Sequence, residues 1–354
     1  MDFTRDLLDW YARRRRELPW RDVHDPYAIW IAEIMLQQTR AETVIPYFER
    51  WMRSFPDVQS LARANREQVL AHWEGLGYYQ RVHNLHRAAA LIVDEHNGKL
   101  PEDFAELKQL PGIGDYTAAA IAAFAFGKDT LALDGNLRRV FTRLFDSTED
   151  PRTARGERLL RELGMQYLPT GSAADYNQAL MDLGATICAP RNPRCDICPL
   201  QKHCLANLRG VQEQRPVSKS RGPIPHVNAS AAIIEEDGAV LLGRRPEGKL
   251  LGGLWEFPGG KQETGETLEE CLQREIREEL GIEILVLHLL GTFEHAYSHY
   301  AVAVHAFECQ RAGGEPQVRD HSAIEWVHIE RLDDYPMGKV DRMIADQLLG
   351  RGAG

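Results

Sequence analysis

The sequence predicts two domains of different class, an all-α domain followed by an α+β domain. Three observations carry this prediction. Apolar residues recur at helical spacing through the first 205 residues, and the period changes after about residue 226. Between them, residues 208–226 are polar and basic, with Pro216, Pro223 and Pro225, as in a linker. A chain of 354 residues is long enough for two or three domains.

Helices are expected over Tyr27 to Arg40, Arg66 to Gly75, Val82 to His96, Tyr116 to Phe126 and Asn177 to Ile187. Turn signals separate them, at Leu18-Pro19-Trp20, Gly75-Leu76-Gly77 and Leu110-Pro111-Gly112-Ile113-Gly114. Beyond the linker, Val227 to Ile234, Ala239 to Gly243, Ile284 to Phe293 and Tyr300 to Phe307 read as strands. One helix is expected there, from about Leu268 to Leu280. No apolar run is long enough to cross a bilayer, and the start, Met1-Asp2-Phe3-Thr4-Arg5-Asp6, lacks a signal-peptide core. The expectation is a cytoplasmic protein with no membrane partner.

The net charge of −10 is unevenly spread. Residues 1–221 carry 30 Lys and Arg against 29 Asp and Glu, a balance of +1, and residues 222–354 carry 12 against 23, a balance of −11. Within the first part, Arg191, Arg194, Lys202, Arg209, Arg215, Lys219 and Arg221 face only Asp196 and Glu213 locally. Such a stripe suits a phosphate backbone, and equally a solvated surface.

Cys188, Cys195, Cys198 and Cys204 crowd into seventeen residues with Pro190, Pro193 and Pro199 between them. Four thiolates on a segment that must wrap form a cage for zinc or an iron–sulfur cluster. Zinc sites usually show two short Cys pairs. Only Cys195 and Cys198 make one here, which favours the cluster. Disulfides are disfavoured in a chain long enough to bury a core without them.

Gly112 and Gly114 allow a sharp turn whose backbone N–H groups point outward beside a helix N-terminus, a device for gripping phosphate. Glu33 lies among Trp30, Ile31, Ile34 and Met35, where an apolar setting would raise its pKa and suit a general acid. Asp134 follows Leu131-Ala132-Leu133 and precedes a helix, whose N-terminus would favour the anion. Glu275, Glu278 and Glu279 share one helical face, where like charges repel unless a cation joins them. Oxygen-only ligands point to Mg²⁺ or Mn²⁺.

The Gly112–Gly114 hairpin and the cysteine spacing together resemble the helix–hairpin–helix DNA glycosylases related to endonuclease III, over about residues 1–205. Within that superfamily, Trp20-Arg21, Glu33-Ile34-Met35-Leu36-Gln37-Gln38-Thr39, Trp73-Glu74-Gly75-Leu76-Gly77-Tyr78-Tyr79 and Leu133-Asp134-Gly135-Asn136 resemble the MutY-type adenine glycosylases. Residues 260–282 fit the Nudix signature, with Gly260, Glu266, Arg274, Glu275, Ile276, Glu278, Glu279, Gly281 and Ile282 in place. The family usually carries this signature eroded, so its intact form here is a departure. The resemblance implies a helical glycosylase domain over 1–207, with the iron–sulfur loop at 188–204, a basic linker at 208–226 and a MutT/Nudix-like domain over 227–354.

The resemblance also implies roles. The substrate would be double-stranded DNA with adenine opposite 8-oxoguanine or guanine, and the cofactor a [4Fe-4S] cluster. The enzyme would be a monomer, cytoplasmic and nucleoid-associated when on DNA. Glu33 would protonate the leaving adenine, and Asp134 would face the cationic sugar, with Tyr116 and Asn136 in support. Bifunctional relatives place a lysine where Tyr116 stands; tyrosine forms no Schiff base, so a monofunctional glycosylase is expected. Gln38 and Leu36 would fill the gap left by the flipped base, and Arg21 and Asp182 would contact the adenine edge. Tyr78 would stack beside 8-oxoguanine, although the motif alone does not separate it from Tyr79. Tyr297, Ser298 and His299 resemble the family's loop that reads 8-oxoguanine. The alternative is a bifunctional protein whose Nudix domain also hydrolyses 8-oxo-dGTP or another nucleoside diphosphate derivative.

Overall fold

The computed structural model describes residues 3–217, 224–297 and 300–352. The chain divides into two compact units, residues 1–63 with 83–220, and residues 64–82 with 221–354. The second unit thus takes in a segment, 64–82, that sequence periodicity alone assigned to the helical domain.

In chain order the helices run α1 (Thr4–Arg14), α2 (Pro26–Leu36), α3 (Ala41–Ser54), α4 (Val58–Arg63), α5 (Arg66–Trp73) and α6 (Gln80–Glu95). They continue as α7 (Phe104–Leu107), α8 (Asp115–Phe126), α9 (Gly135–Leu144), α10 (Ala154–Gln166), α11 (Ala173–Thr186) and α12 (Leu205–Leu208). Of these, α5 belongs to the second unit and α6 crosses the boundary.

Helix α2 starts where Asp25 caps the N–H groups of Tyr27 and Ala28, with Pro26 in the first turn. It stops at Leu36 rather than running to Arg40, because Gln38 sits at φ 58°, a left-handed conformation no helix continues through. Nine of its eleven residues are buried, so it is a core helix and not an amphipathic surface helix. It packs on α8, whose small residues Ala118, Ala119, Ala120, Ala122 and Ala123 permit close approach. Helix α9 is amphipathic. It buries Leu137, Val140, Phe141 and Leu144 in a core shared with Phe3, Leu7, Tyr176, Leu180 and Leu183.

The second unit carries a mixed seven-stranded sheet: β1 (His226–Glu236), β2 (Ala239–Arg244), β3 (Trp255–Glu256), β4 (Gly259–Lys261), β5 (Glu283–Ala296), β6 (Ala301–Gly313) and β7 (Ala323–His328). The main order is β3-β2-β1-β6-β5, with β4 on β1 and β7 on β2; β1 and β6 run parallel. Helices α13 (Leu268–Leu280) and α14 (Lys339–Gly352) pack against it. Ala229, Ala231 and Ile233 of β1 meet Val340, Ile344 and Leu348, while Ala232 and Ile234 meet Leu272, Ile276 and Leu280. A strand covered on both faces reads as a continuous apolar run, as β1 does. Helix α13 matches its expected span, opened by a capping box at Thr267 and Glu270 and closed by Gly281 at φ 69°.

Candidate active site

In the first unit, α2, α8 and α9 bring three expected residues to one cavity of about 790 Å³: Glu33, Tyr116 and Asp134. Asn136, Arg21, Leu36 and Gln38 line it as well. Glu33 is only 4% exposed. Burial raises its carboxyl to about 7, a shift that neighbouring Asp134 reinforces and that Tyr116 and Arg21 oppose. The Tyr116 hydroxyl donates to Glu33 Oε2 at 2.6 Å. Burial likewise pushes the Tyr116 hydroxyl well above its usual range.

Asp134 is the N-cap of α9. Its Oδ1 accepts the Leu137 N–H at 2.7 Å and its Oδ2 accepts the Asn136 side-chain amide at 2.8 Å. The helix N-terminus was expected to favour the anion of this carboxyl. Burial instead raises it, outweighing the Leu137 and Asn136 hydrogen bonds. Gly184 permits this packing, since a Cβ there would lie 2.6 Å from the Asn136 Cβ.

Asp182 does not line the cavity. Its buried carboxylate accepts from Arg16 Nε at 2.6 Å and from Arg21 Nη1 and Nη2 at 2.6 and 2.7 Å. Burial alone would raise its pKa, but the Arg21 and Arg16 bonds hold it below the usual range. Arg21 reaches the cavity wall already fixed by this pairing. Three residues that sequence reasoning passed over also matter. Gln178 lines the cavity and accepts from the Tyr11 hydroxyl at 2.6 Å. Arg139 donates to Asn136 Oδ1 at 2.8 Å, to Gly184 O at 2.7 Å and to Cys188 O at 2.7 Å. Arg143 is buried and donates to Ala189 O at 2.6 Å, Pro190 O at 3.0 Å and Gln212 O at 2.9 Å. An arginine in a helical run looks solvent-facing; its partners lie 45 to 72 residues away and leave no local trace.

The four cysteines ring one small pocket with Arg143, whose Nη1 donates to Cys188 Sγ at 3.3 Å. All four are free thiols. Burial and the neighbouring sulfurs raise Cys195, Cys198 and Cys204, with Cys198 pushed up to about 12. Thiolates gathered in such a space call for a cationic centre to hold them, so the donor set fits a thiolate-bound cluster. Among the described residues, no group of three His, Cys, Asp or Glu side chains is arranged around a single metal ion.

Part of the basic stripe is already partnered. Arg209 and Arg215 pair with Asp146, at 2.6 and 2.8 Å, and Arg194 donates to Thr186 O at 2.5 Å. Arg191, Arg194, Lys202 and Arg209 are exposed, and Lys219 and Arg221 lie outside the described residues. At the hairpin, Gly112 adopts φ 81° and Gly114 caps α8, so both glycines shape the turn as expected.

In the second unit the Nudix carboxylates do not converge. Arg274 lies against Glu266 at 2.7 Å, Glu275 at 3.0 Å and Glu278 at 3.3 Å, so an internal cation already relieves the repulsion expected there. Glu279 turns away to accept the Gly259 N–H at 3.0 Å, and burial raises it to about 7. Arg274 thus offsets part of the like charge for which a Mg²⁺ or Mn²⁺ ion was the expected partner of Glu275, Glu278 and Glu279. Tyr297 packs on His295 and Tyr300, with ring centroids 4.6 and 5.0 Å away. Ser298 and His299 lie outside the described residues. Tyr78 sits at φ 50° and is 43% exposed, whereas Tyr79 is buried, which separates the two tyrosines.

Residues 31–166 match the HhH-GPD superfamily of base excision DNA repair proteins, and residues 229–347 match the NUDIX domain. The adenine DNA glycosylase of Homo sapiens is 34% identical, over 93% of this chain and 71% of its own length. That of Buchnera aphidicola subsp. Acyrthosiphon pisum is 32% identical, over 85% of each chain. The solved structure of a thermostable thymine-DNA glycosylase is 31% identical, with a TM-score of 0.55, covering 58% of this chain and 95% of that one. The chain therefore belongs to the adenine DNA glycosylase family of base-excision repair enzymes.

Proposed function

We propose that the enzyme hydrolyses the N-glycosidic bond of adenine opposite 8-oxoguanine or guanine in double-stranded DNA, without cutting the strand. One observation carries this reading: a buried carboxyl, Glu33, raised to about 7 and bonded to a tyrosine, opens on the same cavity as Asp134. A purine leaves readily only if its ring nitrogen is protonated, and an acid titrating near 7 can supply that proton at neutral pH. Asp134 in its ionised form would offset the positive charge that builds on the sugar. Tyr116 supports the monofunctional assignment, because no amine occupies its position.

Leu36 and Gln38, on the cavity wall, would fill the space the adenine vacates, and the Gly112–Gly114 turn with Arg191 and Lys202 would hold phosphates. Cys188, Cys195, Cys198 and Cys204 would hold a [4Fe-4S] cluster, which when bound supplies the positive charge that keeps four thiolates together. Arg143 braces the same loop from the protein side through its carbonyls. The second unit would read the opposite base through Tyr78 and the Tyr297–His299 loop. Single-turnover excision on adenine opposite 8-oxoguanine, guanine and cytosine, with borohydride trapping, tests the assignment. Fastest excision opposite 8-oxoguanine with no trapped adduct is expected; efficient trapping, or equal rates on all three, would contradict it.

A further inference from the structure

The turn from Trp73 to Tyr79 is held in an unusual conformation. Gly75, Gly77 and Tyr78 lie at φ 93°, 70° and 50°, three left-handed residues within four. For a tyrosine this conformation is costly and needs bracing from its surroundings. Part of the bracing is local: Trp73 Nε1 donates to Gly77 O at 3.1 Å, and Arg81 Nη2 donates to Leu76 O at 3.1 Å and Gly77 O at 3.0 Å. The Arg81 guanidinium also lies 5.4 Å from the Tyr78 ring centre.

Further bracing comes from the far end of the sequence. The Glu74 carboxylate accepts from Arg342 Nε at 2.6 Å and from the Met337 N–H at 3.2 Å, and the Tyr79 hydroxyl donates to Met337 O at 3.2 Å. Arg342 is oriented independently, by donating to Tyr335 O at 2.6 Å and Leu332 O at 3.1 Å. The Glu74 and Arg342 side chains are 21% and 16% exposed. A second pair on this segment, Glu67 with Arg244, is wetter, with Glu67 52% exposed, and contributes less. Removing Glu74 would leave a mostly buried guanidinium with only the solvent-exposed Asp333 carboxylate, 3.1 Å from its Nη1, as an anion.

We propose that Glu74 and Arg342 are positioning residues for recognition of the base opposite the excised adenine, acting by fixing the turn that displays Tyr78. This rests on the reading that Tyr78 stacks against that base. A strained, braced turn that keeps an aromatic ring 43% exposed is suited to stacking rather than to core packing. Glu74 contacts no reacting atom in this account; its effect passes through the shape of the turn.

The test uses the full-length protein and three variants, Glu74→Gln, Arg342→Ala and Tyr78→Ala. Single-turnover excision is measured opposite 8-oxoguanine and opposite guanine over a range of enzyme concentration, and hydrogen exchange is followed at residues 74–79. Both anchor variants are expected to exchange faster at the turn. They should lose about tenfold in preference for 8-oxoguanine, the size of one base–aromatic contact, with the saturated rate opposite guanine unchanged. Tyr78→Ala should lose a similar preference. Glu74→Gln keeps the side-chain volume and carries the test if Arg342→Ala does not fold. An unchanged preference in the anchor variants, while Tyr78→Ala loses it, overturns the proposal whatever the exchange shows. An unchanged preference in Tyr78→Ala overturns instead the stacking role on which the proposal rests.

Discussion

The Tyr116 hydroxyl stands 2.6 Å from Glu33 Oε2 and donates to it, joining α8 to α2 at the floor of the cavity. This bond stabilises the ionised form of Glu33, whereas burial and Asp134 favour the protonated form. The second influence is the stronger, and the carboxyl titrates at about 7. Two carboxyls, Glu33 and Asp134, thereby line one cavity.

Excision is expected to show a bell-shaped pH dependence. In its proposed role Glu33 acts while protonated, so the rate should fall as pH rises through about 7. In its proposed role Asp134 acts while ionised, and its carboxyl is raised, so the acid limb should lie above that of an exposed aspartate. Tyr116→Phe removes a bond that favours ionised Glu33 and should move the alkaline limb to higher pH. Single-turnover rates between about pH 5 and pH 9 check this; an alkaline limb that stays in place in Tyr116→Phe would remove that bond from the account.

The same burial has a cost in stability. Folding raises the Glu33 carboxyl from 4.5 to about 7, so the folded state binds its proton more tightly than the unfolded chain. Stability contributed by this group therefore declines as pH rises between those values and stays lower above them. Glu33→Gln, neutral throughout, should be more stable than the wild type at about pH 8, by on the order of 2–3 kcal/mol, and the gap should close toward pH 5. Denaturant melts at the two pH values measure it; equal stability at both would show that Glu33 is not desolvated.

Gly184→Ala is expected to lower the saturated excision rate at least about tenfold and to destabilise the fold by roughly 1–3 kcal/mol. The new Cβ would sit 2.6 Å from the Asn136 Cβ and 3.2 Å from its Cα, so backbone must move and carry the Asn136 bond to Asp134 with it. Excision rate and melting temperature, measured together, decide this. A wild-type rate would mean that Asn136 is dispensable in its present position.

The Nudix signature should not confer turnover on this chain. Arg274 occupies the space among Glu266, Glu275 and Glu278, and Glu279 is directed to the Gly259 amide. The full-length protein with Mg²⁺ and 8-oxo-dGTP is expected to release no pyrophosphate above a Glu279→Gln control. Release well above that control would restore the bifunctional alternative.

What the sequence disclosed follows physical range. Helix α13 was legible because its cap, its Gly281 stop and its apolar period all lie within a few residues of one another. Glu33, Asp134 and the four cysteines were legible as short motifs. Strands β3 and β4 were missed, being two and three residues long, too short for a period to appear, and β7 was missed because only Val327 of its six residues is buried, which leaves no apolar pattern. The anchoring of Asp182 by Arg16 and Arg21, of Arg209 by Asp146 and of Glu74 by Arg342 was invisible, since each partner lies tens to hundreds of residues away. The end of α2 at Leu36 depends on one left-handed residue, Gln38, which no propensity marks as a stop.

The most direct measurement is excision by Glu33→Gln on adenine opposite 8-oxoguanine, with mismatch affinity determined on the same preparation. Glutamine keeps the shape and a hydrogen bond with Tyr116 but has no proton to give. The expected result is a loss of about 10²-fold to 10⁴-fold or more in single-turnover rate, with affinity for the mismatch retained. Excision near the wild-type rate would contradict the assignment of Glu33 as the acid, and with it the reading of the cavity as the site of base removal.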